Sequence, residues 1–232
     1  TRSPEIVTRY AIQDINFLLD HNVKMVIAAC GTVTTTLPEE VIGRFQFPYT
    51  GVLHPTVRAA ATATRNGKIG VIATATTIRT GAYERELKAM NHDFSVISKA
   101  CPMFVPLVEN GYVNRDNQVT RLVAEEYLAP LREAGVDTLI LGCTHYPVIA
   151  GIIGDVMGED VVLIDSGRAA ADYAEQMLNQ QGLLTGRSGQ AKIEFYVSDD
   201  PGQFSRNATL FLGSGFQGTA GKVDITAYSD II

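Results

Sequence analysis

The chain has 232 residues, 46% of them hydrophobic, with 19 lysines and arginines against 25 aspartates and glutamates for a net charge of −6. That apolar content excludes a disordered chain, and the acidic excess with interspersed charges excludes nucleic acid or an anionic membrane as the main partner. No apolar run approaches the roughly 20 residues that cross a bilayer, and no basic-then-apolar leader opens the sequence, so a cytoplasmic location is expected. The chain opens on Thr1 rather than methionine, which reads as residues left off upstream. Cys30, Cys101 and Cys143 are too few and too scattered for a disulfide framework, so their chemistry is that of free thiols.

Ser3-Pro4-Glu5 reads as a helix start, with proline at the first helical position and apolar residues recurring at helical spacing up to Leu19. Val23 to Ala29 is a nearly continuous apolar run ending at Cys30, as a buried parallel strand would read. A helix is expected near Pro38, then a strand over 50–53, a helix from Pro55 to Arg65, a strand over 68–73, one helix over 77–90 and a strand over 93–98. A helix over 117–133 precedes the apolar strand 137–142, which ends at Cys143. Strands over 161–164 and 192–197 and helices over 168–180 and 201–212 complete the pattern. Alternating strands and helices predict an α/β protein with parallel sheets.

Cys30 and Cys143 share a frame: valine seven positions earlier (Val23, Val136) and isoleucine three positions earlier (Ile27, Ile140). Ligands of open α/β sheets bind beyond the carboxyl ends of strands, so a duplicated unit would turn both thiols into one crevice. Strand-to-helix turns offer free N–H groups and partial positive charge, which predicts a lowered thiol pKa. A thiolate and a thiol facing one carbon from opposite sides can move its proton from one face to the other. Thr32 and Thr144 beside the cysteines, and Thr74, Thr76 and Thr77 at another strand end, could donate hydrogen bonds to a carboxylate, or simply suit a strand. His145 could orient or deprotonate Cys143, or cap the following helix. Cys101 reads as a buried structural residue and Glu109 as a solvated carboxylate at a helix end.

Gly142-Cys143-Thr144-His145-Tyr146-Pro147 and Ala29-Cys30-Gly31-Thr32 resemble the two catalytic motifs of the glutamate racemases in the aspartate/glutamate racemase superfamily. Further segments resemble the family in the same order along the chain: Ser3-Pro4-Glu5, Gly70 to Thr74 with Thr77, Gly81-Ala82-Tyr83, Ala100 to Glu109, Ile164-Asp165-Ser166 and Phe195 to Asp199. The resemblance implies two pseudo-symmetric α/β domains with parallel sheets and the active site at their interface, residues 1–54 with 168–232 forming one and 55–167 the other. It implies interconversion of L- and D-glutamate without pyridoxal phosphate, metal or any other cofactor, supplying D-glutamate for peptidoglycan, in an enzyme that is a homodimer. By that resemblance Cys30 acts on D-glutamate and Cys143 on L-glutamate. Gly31, Thr32, Thr74, Thr77, Thr144 and His145 bind substrate, and Glu109 assists His145 on the Cys143 side.

The sequence departs from the family pattern in two respects. Gly31 stands where many members carry asparagine, which predicts that backbone or water replaces that side chain's contact. The family's opening strand with Asp-Ser-Gly and its Pro-Tyr-Gly segment have no match here, and they carry a carboxylate near the first cysteine and several substrate contacts. Loss of that strand is expected to expose apolar surface and sheet edge. The readings set against glutamate racemase are an aspartate or hydantoin racemase, an inactive glutamate-binding module, an arylmalonate decarboxylase, which needs one cysteine only, and a structural metal site at Cys30, Cys143 and His145, whose spacing suits zinc poorly.

Overall fold

The computed structural model describes residues 3–189, 191–213, 216 and 218–229. Helix α1 (Pro4–Leu19) begins with Pro4 next to the N-cap Ser3, and leads to strand β1 (Val26–Ala28). Two short helices follow, α2 (Gly31–Thr36) and α3 (Glu39–Ile42), then β2 (Tyr49–Gly51) and α4 (Leu53–Ala63). Strand β3 (Lys68–Ala73) precedes α5 (Ala75–Thr80) and α6 (Ala82–Met90). The single helix expected over 77–90 is broken because Gly81 takes a left-handed conformation at φ 64°, which ends the first helix and starts the second. Next come β4 (Ser95–Ala100), α7 (Phe104–Glu109), α8 (Gln118–Glu133) and β5 (Thr138–Leu141). A 3-10 turn leads into α9 (Ala150–Met157), followed by β6 (Val162–Asp165), α10 (Ser166–Gln180), β7 (Phe195–Val197), α11 (Pro201–Leu212) and β8 (Ala220–Lys222).

The main sheet is parallel throughout, in the order β4-β3-β5-β6. Its central strands are buried on both faces, which is why they read as apolar runs rather than alternating ones. Ile72, Leu139 and Leu141 point into a core with Phe104, Leu128, Leu131, Ile152 and Ile153 from α7, α8 and α9. Ile69, Val71 and Ile140, one residue out of phase, meet Val57 and Ala60 of α4 and Tyr83 and Leu87 of α6 on the other face. The protein is thus an α/β fold with helices on both sides of a parallel sheet.

Two smaller parallel pairs flank it, β1 with β2 and β7 with β8. A third core gathers Ala11, Ile15, Val26 and Leu37 from α1, β1 and the α2–α3 junction. Only three residues of β1 pair, against the seven expected, because its partner β2 is itself three residues long. Among the described residues β1 has β2 as its one neighbour, and Ile27 is 43% exposed. The end of the chain returns to α1: Asn16 Nδ2 donates to the Tyr228 carbonyl at 3.0 Å, and Phe17 packs edge-on against Tyr196 and Tyr228.

Candidate active site

Strands β3 and β5 run side by side with Ile72 opposite Leu141, and the Gly142 N–H donates to the Ile72 carbonyl at 2.8 Å. The residues leaving each strand are therefore neighbours, Thr74 beyond β3 and Cys143 beyond β5. The chain goes from β3 to β4 on one side and then crosses to β5 on the other, so this is the point where strand order reverses, the place where open α/β sheets bind their ligands.

Cys30 reaches the same place from β1. It stands exposed at the N-cap of α2, which starts at Gly31. One turn of that helix presents Thr32, whose hydroxyl lies 3.2 Å from those of both Thr74 and Thr77. Thr74 and Thr77 are 3.1 Å apart, and the Thr74 hydroxyl also accepts the Thr77 N–H as the cap of α5. Three hydroxyls from two helix starts thus form one cluster. Beside it Gly31 packs on Gly142 so closely that a β-carbon at position 31 would lie 2.6 Å from the Gly142 oxygen. Cys30 directly precedes one side of that contact and Cys143 directly follows the other.

Cys143 is 8% exposed. Burial pushes its thiol up to about 11, and nearby Cys30 and Glu109 add to that, against the opposing effect of the His145 N–H and the Thr144 hydroxyl. The lowered value expected from a strand-end turn is not found at Cys143, since desolvation outweighs the hydrogen bonds there. His145 Nδ1 faces Cys143 Sγ at 3.9 Å and Thr144 Oγ1 at 3.4 Å, and its Nε2 lies 3.1 Å from Glu109 Oε1. Its side chain makes no helix cap. Glu109 does end a helix, α7, but spends its carboxylate on His145 rather than on solvent alone. The site therefore holds a thiol, an imidazole and a carboxylate in line on one side, and a second thiol beside a threonine cluster on the other.

The sequence profile of the Asp/Glu/Hydantoin racemases matches residues 3–174. The chain belongs to this family. A glutamate racemase from Geobacter metallireducens is 43% identical over 213 residues, covering 92% of this chain and 78% of the relative. A glutamate racemase from Neisseria meningitidis is 39% identical with the same coverage. Among solved structures, a glutamate racemase isoform from Bacillus anthracis superposes with a TM-score of 0.90 at 33% identity, covering 96% of this chain and 82% of that one. A Francisella tularensis glutamate racemase, determined in complex with D-glutamate, gives 0.87 at 31% identity, covering 98% and 84%.

Nine of the residues singled out in the sequence gather around these strand ends: Cys30, Gly31, Thr32, Thr74, Thr77, Glu109, Cys143, Thr144 and His145. Cys101 is set apart, fully buried, with its thiol pushed up to about 12 by burial and its carbonyl accepting the Tyr146 hydroxyl. Thr76 makes no contact within the hydroxyl cluster. Sequence reasoning missed Gly142 as a packing partner and Phe211, whose ring meets His145. A lone glycine in a motif signals a close approach without naming what approaches, and nothing local marks Phe211. Among the described residues no three His, Cys, Asp or Glu side chains are grouped to hold a metal ion.

Proposed function

We propose that this chain is a glutamate racemase in which Cys30 and Cys143 exchange a proton with opposite faces of the α-carbon. One thiolate removes the α-proton, leaving a carbanion delocalised onto the carboxylate, and the opposite thiol returns a proton to the other face. Cys30 takes the proton of D-glutamate and Cys143 that of L-glutamate, each being regenerated by the reverse reaction. The hydroxyls of Thr32, Thr74, Thr77 and Thr144, with the Gly31 N–H, donate to the substrate's carboxylate and to the charge that grows on it in the transition state. His145, backed by Glu109, relays protons to Cys143. The raised thiol of Cys143 supports its resting protonated, set to donate. The two units, residues 1–54 with 168–232 and 55–167, close about the substrate.

The observation that carries this reading is the Gly31–Gly142 contact, because it holds the two cysteine-bearing strand ends at one point. We further place the enzyme in the cytoplasm as a homodimer that supplies D-glutamate for peptidoglycan. No helix among the described residues is long and apolar enough to cross a membrane. Incubation with L- or D-glutamate in deuterated water, followed by circular dichroism and α-deuterium incorporation, tests the assignment. Racemisation with exchange in the parent, abolished by Cys30→Ala and by Cys143→Ala, is the expected result. Turnover of aspartate or a hydantoin in place of glutamate would move the substrate within the family, and glutamate binding without exchange would mark a binding module. Sedimentation velocity reads the dimer.

A further inference from the structure

His145 is fixed at its two nitrogens, by Cys143 and Thr144 on Nδ1 and by Glu109 on Nε2. The ring turns about its bond to Cβ, and the Nδ1 contacts that oppose this turning are long, 3.9 Å to Cys143 Sγ and 3.4 Å to Thr144 Oγ1, against 3.1 Å to Glu109 at Nε2, so they leave it room to rock. A third contact opposes the rocking. Phe211 stands beside the imidazole with ring centroids 5.2 Å apart and planes at 87°. It comes from the penultimate residue of α11, a helix that otherwise packs on β7 and β8 and whose buried residue is Ala208. Phe211 itself remains 37% exposed, so filling the core is not its main task. Edge-to-face aromatic pairs of this spacing are attractive and directional.

We infer that Phe211 is a positioning residue for His145, carried by α11 to hold the imidazole in the plane from which it serves Cys143. This rests on the function proposed above. Because enantiomers have equal free energies, kcat/KM must be the same for L- and D-glutamate in every variant. A defect at Phe211 therefore lowers both equally, and a difference between directions can appear only in kcat and KM taken separately.

The test compares Phe211→Ala, Phe211→Leu and Phe211→Tyr in the parent and in a His145→Ala background. Phe211→Ala and Phe211→Leu are expected to lower kcat/KM by roughly 2- to 10-fold, the range an aromatic pair of this geometry supports, while Phe211→Tyr retains it. In the His145→Ala background Phe211→Ala should have no further effect. An equal loss in both backgrounds, or no loss in the parent, overturns the inference. A readout independent of turnover is the His145 ring-proton resonance, assigned by its disappearance in His145→Ala. Loss of the Phe211 ring current shifts it in any case, so the line width decides: it should broaden in Phe211→Leu, and an unbroadened resonance overturns the inference even if glutamate proves not to be the substrate. Failure of the function itself would show instead as a parent inert toward glutamate with the resonance still responding.

Discussion

Gly31 and Gly142 meet backbone to backbone, with room for only a hydrogen on the α-carbon of Gly31 facing the Gly142 carbonyl. The contact joins the start of α2 to the end of β5, so anything that widens it moves one thiol away from the other. Gly31→Ala should cost about 1–3 kcal/mol of stability through overpacking. It should also cost more activity than stability predicts, since small misplacements of reacting groups are expensive. Gly31→Asn should behave like alanine here rather than improve the enzyme, because its β-carbon meets the same carbonyl. Chemical denaturation beside steady-state racemisation checks both, and a more active asparagine variant would mean that the strand ends yield easily.

The three thiols should react in an order set by burial. Cys30 is exposed, whereas Cys143 is 8% exposed with its thiol near 11 and Cys101 is fully buried with its thiol near 12. Brief iodoacetamide treatment of the unliganded protein at pH 7.5, a value chosen as roughly one unit below a free thiol, should label Cys30 alone by mass spectrometry. Labelling of Cys143 should rise as the pH approaches 11.

The same two buried thiols bear on alkaline stability. Their folded-state values lie above the roughly 8.5 of an unfolded cysteine, so the unfolded chain gives up its protons first. Their contribution is intact below about pH 8.5 and is lost progressively as the pH climbs through the folded values near 11 and 12. Denaturation midpoints measured between neutral pH and pH 10 should fall in the parent, and fall less steeply in Cys101→Ala once its lower starting stability is taken into account.

Asp137 holds the far end of the central strands. Its carboxylate accepts the Thr64 hydroxyl, the Arg65 and Asn66 N–H groups and the Thr138 hydroxyl, all within 3.0 Å, which ties the turn before β3 to the start of β5. Burial alone would raise this carboxyl, but the four hydrogen bonds outweigh it and hold it below the usual range. Its contribution is therefore present above the unfolded value of about 3.9 and is lost as the pH falls through the lower folded value. Asp137→Ala strands several donors and should destabilise by about 2–4 kcal/mol. Catalysis in the surviving folded fraction should stay near the parent's, because Asp137 lies at the opposite ends of β3 and β5 from Thr74 and Cys143.

His145→Ala should lower kcat/KM by about 10²–10⁴, the usual worth of a positioned acid–base group, and by the same factor for both enantiomers. Glu109→Gln keeps a hydrogen-bond partner for Nε2 and should cost less. Equal losses in the two variants would show that the charge of Glu109, rather than its hydrogen bond, is what His145 needs.

By itself the sequence determined the alternation of strands and helices, the positions of Cys30 and Cys143 at strand ends, and the motif residues that gather around them. Those are local facts: a strand buried on both faces must be apolar along its length, as β3 and β5 are, and the residues that leave such a strand must be polar or small. The Gly81 break, the start of α2 at Gly31 and the three-residue length of β1 depended on what each segment packs against. Tertiary structure alone decided that Gly31 touches Gly142, that desolvation raises rather than lowers the Cys143 thiol, and that Phe211 meets His145 from 66 positions away. Each is a contact between residues distant in sequence, set by the register of β3 on β5 and the packing of helices around them, and periodicity along one chain carries no record of which distant atom fills the space beside it.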